Sequence, residues 1–345
     1  CLQKISLFAK LQSRDVRITA MLTLNALVQS VSFRTECFTP ELTANLLADA
    51  APLVSPGDLH LAHLTLRLCI SLMHKLPSNY LHESFDSLLL QRALTLAASP
   101  VTQGSSLATL EEFFGDLVQQ NMPKASFIEL FESLYCGSES AAATAIAPEM
   151  EGNLANMVVS TNNQHNGHGG NGTAAASGGG SGEDVEGTSA SSRKQSGMNL
   201  ARCISAICQH ATQQQKESIA TRLISDVTGH SSRVQLALLC IGELGKRTDL
   251  SVWAGNATLE VSVIEKFSSS STDTQIAAAF ALGNMAVGNM ARYIPVILNA
   301  LSSGNHRYLL LAALRELILG TSRAVLIDNS AMNQGLWLEV YFCMF

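Results

Sequence analysis

The chain has 345 residues, 47% of them apolar and only 14% charged, so it carries ample material for a core. Its net charge of −6 offers no basic excess to neutralise phosphates, which speaks against a nucleic-acid partner. Aromatic residues stand at 6% and Leu and Ala dominate the apolar set, which favours packed helices over a β-sandwich built on Val, Ile, Tyr and Thr.

Apolar positions recur at helical spacing in LQSRDVRITAMLTLNALVQS (11–30), GDLHLAHLTLRLCISLM (57–73) and SSLATLEEFFGDLVQQ (105–120). The polar residues Ser13, Asp15 and Asp58 stand where helix caps are expected, and Pro40, Pro56, Pro77 and Pro123 punctuate the chain between helices. From 138 to 197 the character changes. This segment holds 2 basic and 6 acidic residues, and 11 of the 24 glycines lie between Gly152 and Gly197. Such composition cannot bury enough apolar surface to offset chain entropy, so 138–197 is expected to be a disordered insertion.

Helical spacing resumes in LARCISAICQHA (200–211), SRVQLALLCIGELGKR (232–247), TQIAAAFALGNMAVGNMARYIPVIL (274–298) and NHRYLLLAALRELILG (305–320). Ser231 and the run Ser271, Thr272 and Asp273 supply caps, and Pro295 is expected in the first turn of its helix, where its missing N–H costs nothing. No stretch shows a convincing period of two. Aligning the helical cores places Leu24, Cys69, Leu110, Ile204, Ile241, Leu282 and Leu314 in equivalent slots, about 32 to 45 residues apart except across the insertion. A period near 40 with two helices per unit predicts an all-α solenoid of HEAT repeats, with repeats at 1–137 and 198–323 and the insertion between the two helices of one repeat. An atypical apolar tail, 324–345, is expected to be truncated or misjoined, because a capping repeat would not expose Trp337, Tyr341, Phe342 and Phe345.

Gly242 and Gly283 fall one residue after the aligned slot. Each costs roughly 1 kcal/mol of helix propensity relative to Ala, so two at one register predict close helix–helix approach. The residues that follow them, Glu243 and Asn284, together with Glu316 and its neighbour Arg315, are the candidates for an exposed partner-binding ridge.

No catalytic, metal or cofactor constellation assembles. His60, His63 and His74 lack further ligands for zinc, and adjacent Glu111 and Glu112 point in different directions from a helix. Cys203 and Cys208 sit on an apolar helix with no orienting acid, which fits buried structural thiols better than a nucleophile. No apolar run is long enough to span a membrane.

The stretches LALLCIGELGKRTDLS, VIEKFSSSSTDTQIAAAFALGNMAVGNMARYIPVIL and HRYLLLAALRELI, with PLVSPGDLHLAHLTLRLCISL and SPVTQGSSLATLEEFFGDLV upstream, resemble the cullin-associated, neddylation-dissociated family, also described as TATA-binding-protein-interacting. ALGNMAVGN followed by YIPVIL is the most specific of these. The resemblance implies a non-catalytic piece from the later part of a longer HEAT solenoid, in the cytoplasm and nucleus, with no cofactor, nucleic acid or membrane partner. Its implied partner is a cullin–RING complex whose cullin lacks the ubiquitin-like modifier. There the family competes with substrate adaptors and promotes their exchange in SCF-type ubiquitin ligases. The alternative is a HEAT adaptor for another protein, in transport, phosphatase or transcription-factor contact. The Gly-rich insertion is longer than the family pattern implies.

Overall fold

In the computed structural model the described residues are 2–30, 35, 38–77, 80, 89–120, 125–137, 183–229, 231–253 and 256–325. Among them are fourteen α-helices and no strand. In chain order these are α1 (Leu2–Phe8), α2 (Arg14–Gln29), α3 (Pro40–Ala50), α4 (Leu59–Lys75), α5 (Leu90–Ala98), α6 (Gly104–Gln119) and α7 (Phe127–Cys136). The second half contains α8 (Glu183–Gln209), α9 (Gln213–Thr228), α10 (Val234–Arg247), α11 (Asn256–Glu265), α12 (Thr272–Gly288), α13 (Met290–Ser302) and α14 (Arg307–Val325).

The helices pair into seven hairpins. Their second members, α2, α4, α6, α8, α10, α12 and α14, form an unbroken row in which each touches the next. The first members meet less closely, which puts the second-helix row on the inside of the curve. All seven residues of the aligned slot, Leu24, Cys69, Leu110, Ile204, Ile241, Leu282 and Leu314, are buried, one per second helix. The repeat length read from sequence is therefore the repeat length of the fold.

Local chemistry explains most boundaries. Asp58 caps α4 by accepting from the Leu61 N–H at 3.1 Å, and Ser271 caps α12 by accepting from Thr274 at 3.3 Å. Ser126 and Glu129 close a reciprocal capping box on α7, as Thr212 and Gln215 do on α9. Ser13 stands at the α2 cap without a side-chain bond, and Ser231 lies two residues before the α10 cap, Arg233. Pro40 is the first residue of α3 rather than a linker residue.

Two expectations are corrected. Pro295 sits in the second turn of α13, because Asn289 caps that helix through the Arg292 N–H at 3.1 Å and starts it earlier. The residues from Glu183 to Gly197, expected within the disordered insertion, belong to α8. The physical reason is an anchor within the helix: buried Asn199 donates to the Ser99 and Thr102 carbonyls, both at 2.9 Å, and accepts from Gln195 at 3.0 Å. Helix growth back from such an anchor adds one hydrogen bond per residue at little cost. The rest of the insertion, 138–182, connects α7 to α8 and lies outside the described residues, as does the tail from 326 onward.

Candidate protein-binding face

The inner row of second helices presents the polar groups that follow the aligned slot, and the structure sorts them. The sequence pattern puts Glu243 and Asn284 on an exposed ridge; the structure buries them, at 6% and 2% exposure. The cause is the glycine beside each. A Cβ on Gly242 would come within 2.5 Å of the Phe280 ring and 3.2 Å of the Ala281 Cα. One on Gly283 would come within 2.8 Å of the Glu316 Cβ and meet the Ala313 carbonyl. Helices that close together cover the next residue too. The helices approach closely at Gly242 and Gly283, and the same contact covers Glu243 and Asn284. Asn284 spends its amide on the Phe280 carbonyl at 3.0 Å. Burial holds the Glu243 carboxyl above the usual range, although Lys246, Arg202 and Arg247 pull the other way.

Arg315 and Glu316 are different. The Arg315 side chain is 73% exposed and pairs with its neighbour Glu316 at 3.3 Å. Such a pair contributes little stability; Arg315 is open to an incoming surface, whereas the Glu316 side chain is only 26% exposed.

Sequence reasoning missed the most developed charge cluster. The Glu111 carboxylate on α6 takes Arg202 of α8 at 2.6 Å on one oxygen and Arg247 of α10 at 2.6 Å on the other. One acid thereby ties three consecutive second helices. Glu111 is the residue after aligned Leu110, the register that holds glycine in Gly242 and Gly283, so its inward aim was available in the alignment. Arg202 and Arg247 gave no such signal, because a helix-end arginine is ordinarily solvated. Next to this cluster, the Ser205 hydroxyl of α8 donates to the Glu243 carbonyl of α10 at 3.0 Å.

Further toward the N-terminus, His63 and His74 of α4 face α6. His63 Nδ1 lies 2.7 Å from the Thr109 hydroxyl, and His74 Nε2 lies 3.1 Å from Asp116. Burial, then Arg67 and His60, hold the His63 pKa below its ordinary value. On α6, Glu111 turns to the arginines of α8 and α10. Among the described residues no group of three or more His, Cys, Asp and Glu could hold a metal. Cys69, Cys203, Cys208 and Cys240 are buried, and burial pushes their pKa values up, to about 12 for Cys69 and Cys208. A thiol so raised is a poor nucleophile at neutral pH. Among the described residues no helix is long and apolar enough to cross a membrane.

No protein-family profile matches the chain. Individual relatives do. The chain is 30% identical over 321 residues to "Cullin-associated NEDD8-dissociated protein 1" of Arabidopsis thaliana, a match that covers 91% of this chain and 22% of the relative. The protein of the same name in Drosophila melanogaster is 29% identical over 93% of this chain and 23% of its own length. "Cullin-associated NEDD8-dissociated protein 2" of Rattus norvegicus is 26% identical over 90% of this chain. The chain therefore spans less than a quarter of the length of these curated relatives. With a HEAT-type helical array, the chain is similar through about nine-tenths of its length to a stretch of cullin-associated, NEDD8-dissociated proteins.

Proposed function

We propose that this chain is a non-catalytic stretch of solenoid that holds a cullin subunit against its inner row of second helices. It takes the cullin–RING complex that lacks the ubiquitin-like modifier, and it promotes exchange of substrate adaptors in SCF-type ligases by competing for the adaptor's place, in the cytoplasm and nucleus. The observation that carries this reading is the likeness to relatives named for cullin association, which extends through the same repeats that build the inner row. A solenoid offers a long concave surface suited to wrapping another protein. The buried, high-pKa thiols argue against a nucleophilic enzyme.

The test is a pull-down of purified cullin–RING complex by this chain, with modified and unmodified cullin run in parallel. The expected result is capture of the unmodified form alone, with release when excess adaptor is added. Capture of neither form by a chain that is helical by circular dichroism would sink the cullin reading. Equal capture of both would remove the modifier dependence, and retention in the presence of adaptor would remove the competition.

A further inference from the structure

Arg202 and Arg247 converge from α8 and α10 on the single carboxylate of Glu111. Each guanidinium carries five N–H donors in a rigid fork. Among the described residues, one terminal nitrogen of each is engaged, at 2.6 Å from Glu111. Glu111 is itself mostly covered, with 11% of its side chain exposed, whereas Arg202 keeps 36% and Arg247 28%. The acid thus sits below and the arginine forks reach solvent.

Local charge points the same way. Lys246 adds a third cation beside Arg247, and the other nearby acid, Glu243, is buried with its carboxyl held above the usual range. Two arginines therefore share the Glu111 carboxylate. A strong internal ion pair needs one cation per acid; the second arginine is surplus to that need. Each fork keeps further N–H donors that a second carboxylate could take.

We infer that Arg202 and Arg247, held by Glu111, form a docking site for a carboxylate of the protein partner, an exposed Asp or Glu side chain on the surface that lies along the inner row. This deepens the cullin reading and rests on it for the partner's identity, but the site itself is defined by its own chemistry.

The experiment uses the full chain and two probes: unmodified cullin–RING complex, and a fluorescent hexaglutamate peptide at low ionic strength. Dissociation constants are measured for the wild type and for Arg202→Gln, Arg247→Gln and Glu111→Gln, with thermal melts to establish that each variant folds. Either arginine substitution should weaken binding about tenfold, the loss of one charge-assisted pair. Glu111→Gln should bind at least as tightly as wild type, because it releases both forks. Arg247→Lys, which keeps the charge and loses the fork, should fall between and serves if Arg247→Gln does not fold. If Glu111→Gln weakens binding as much as the arginine variants, the arginines serve only the internal pair and the inference is overturned. It is overturned equally if neither probe separates the arginine variants from wild type. Hexaglutamate binding with the expected variant pattern, but no cullin binding, would keep the carboxylate site and reject the cullin reading.

Discussion

The two ends of the inner row solve one packing problem differently. Between α2 and α4 the residue after the aligned slot is Asn25, whose amide crosses to the Leu64 carbonyl at 2.9 Å while also bonding Met21 of its own helix at 2.9 Å. Ser106 of α6 makes a similar tie, donating to the Leu59 carbonyl of α4 at 2.8 Å. Between α10, α12 and α14 the same slot holds Gly242 and Gly283, and the helices close until backbone meets backbone. Ala277, Ala278, Ala279 and Ala281 thin the α12 face further, and all are buried. The early seams are held by side-chain bonds across a wider gap, and the late seams by dispersion across almost none. One position in the repeat therefore sets the spacing of neighbours, and spacing decides which polar groups remain at the surface.

The largest effect is expected where the gap is smallest. Gly283→Val drives a branched side chain into the Ala313 backbone and the Glu316 Cβ, neither of which can rotate away. Overpacking of this kind should cost about 3 kcal/mol, enough to lower the melting temperature by roughly 6 °C or more. A melt unchanged within a degree would mean that the late seam opens easily, and the contrast between the two ends would collapse.

An intermediate effect belongs to the early seam. Asn25→Ala removes the donor to Leu64, but that carbonyl keeps its own helical partner, so no buried group is orphaned. The loss should be about 1 kcal/mol, part of it regained through the better helix propensity of alanine. If Asn25→Ala destabilises as much as Gly283→Val, the early seam is as tight as the late one and its hydrogen bonds are not what holds it.

This difference also marks what was legible in the sequence. The seven slot residues recur at a period near 40 except across the insertion, and spacing is a property of the chain, so the repeat of paired helices could be read directly. Gly242 and Gly283 were legible because glycine within a helix costs free energy and so demands a reason. The exposure of Glu243 and Asn284 was not, because it depends on how far the neighbouring helix closes, and that distance is set by residues 30 to 40 positions away. The Glu111 cluster was half legible: the alignment gave the direction of the acid, but only the folded curve brings Arg202 and Arg247 together over it. The start of α8 at Glu183 was hidden because a polar, glycine-containing stretch reads as disorder until the Asn199 anchor is seen.

The smallest effect concerns Glu243, the charge that the tight seam covers. Its folded pKa lies above the usual value near 4.3, with burial as the main cause. The protonated form is thus favoured in the folded state, and the group's contribution is most favourable below the unfolded pKa. It is lost as pH rises through the folded pKa. Glu243→Gln removes this penalty, so at pH 7 the variant should melt about 1–3 °C above wild type. On acidification below the unfolded pKa the advantage should shrink toward nothing, because Glu243 is then protonated in both states. A variant that melts below wild type at pH 7, with the gap closing as pH falls, would mean the reverse. Lys246, Arg202 and Arg247 would then stabilise the carboxylate by more than burial penalises it.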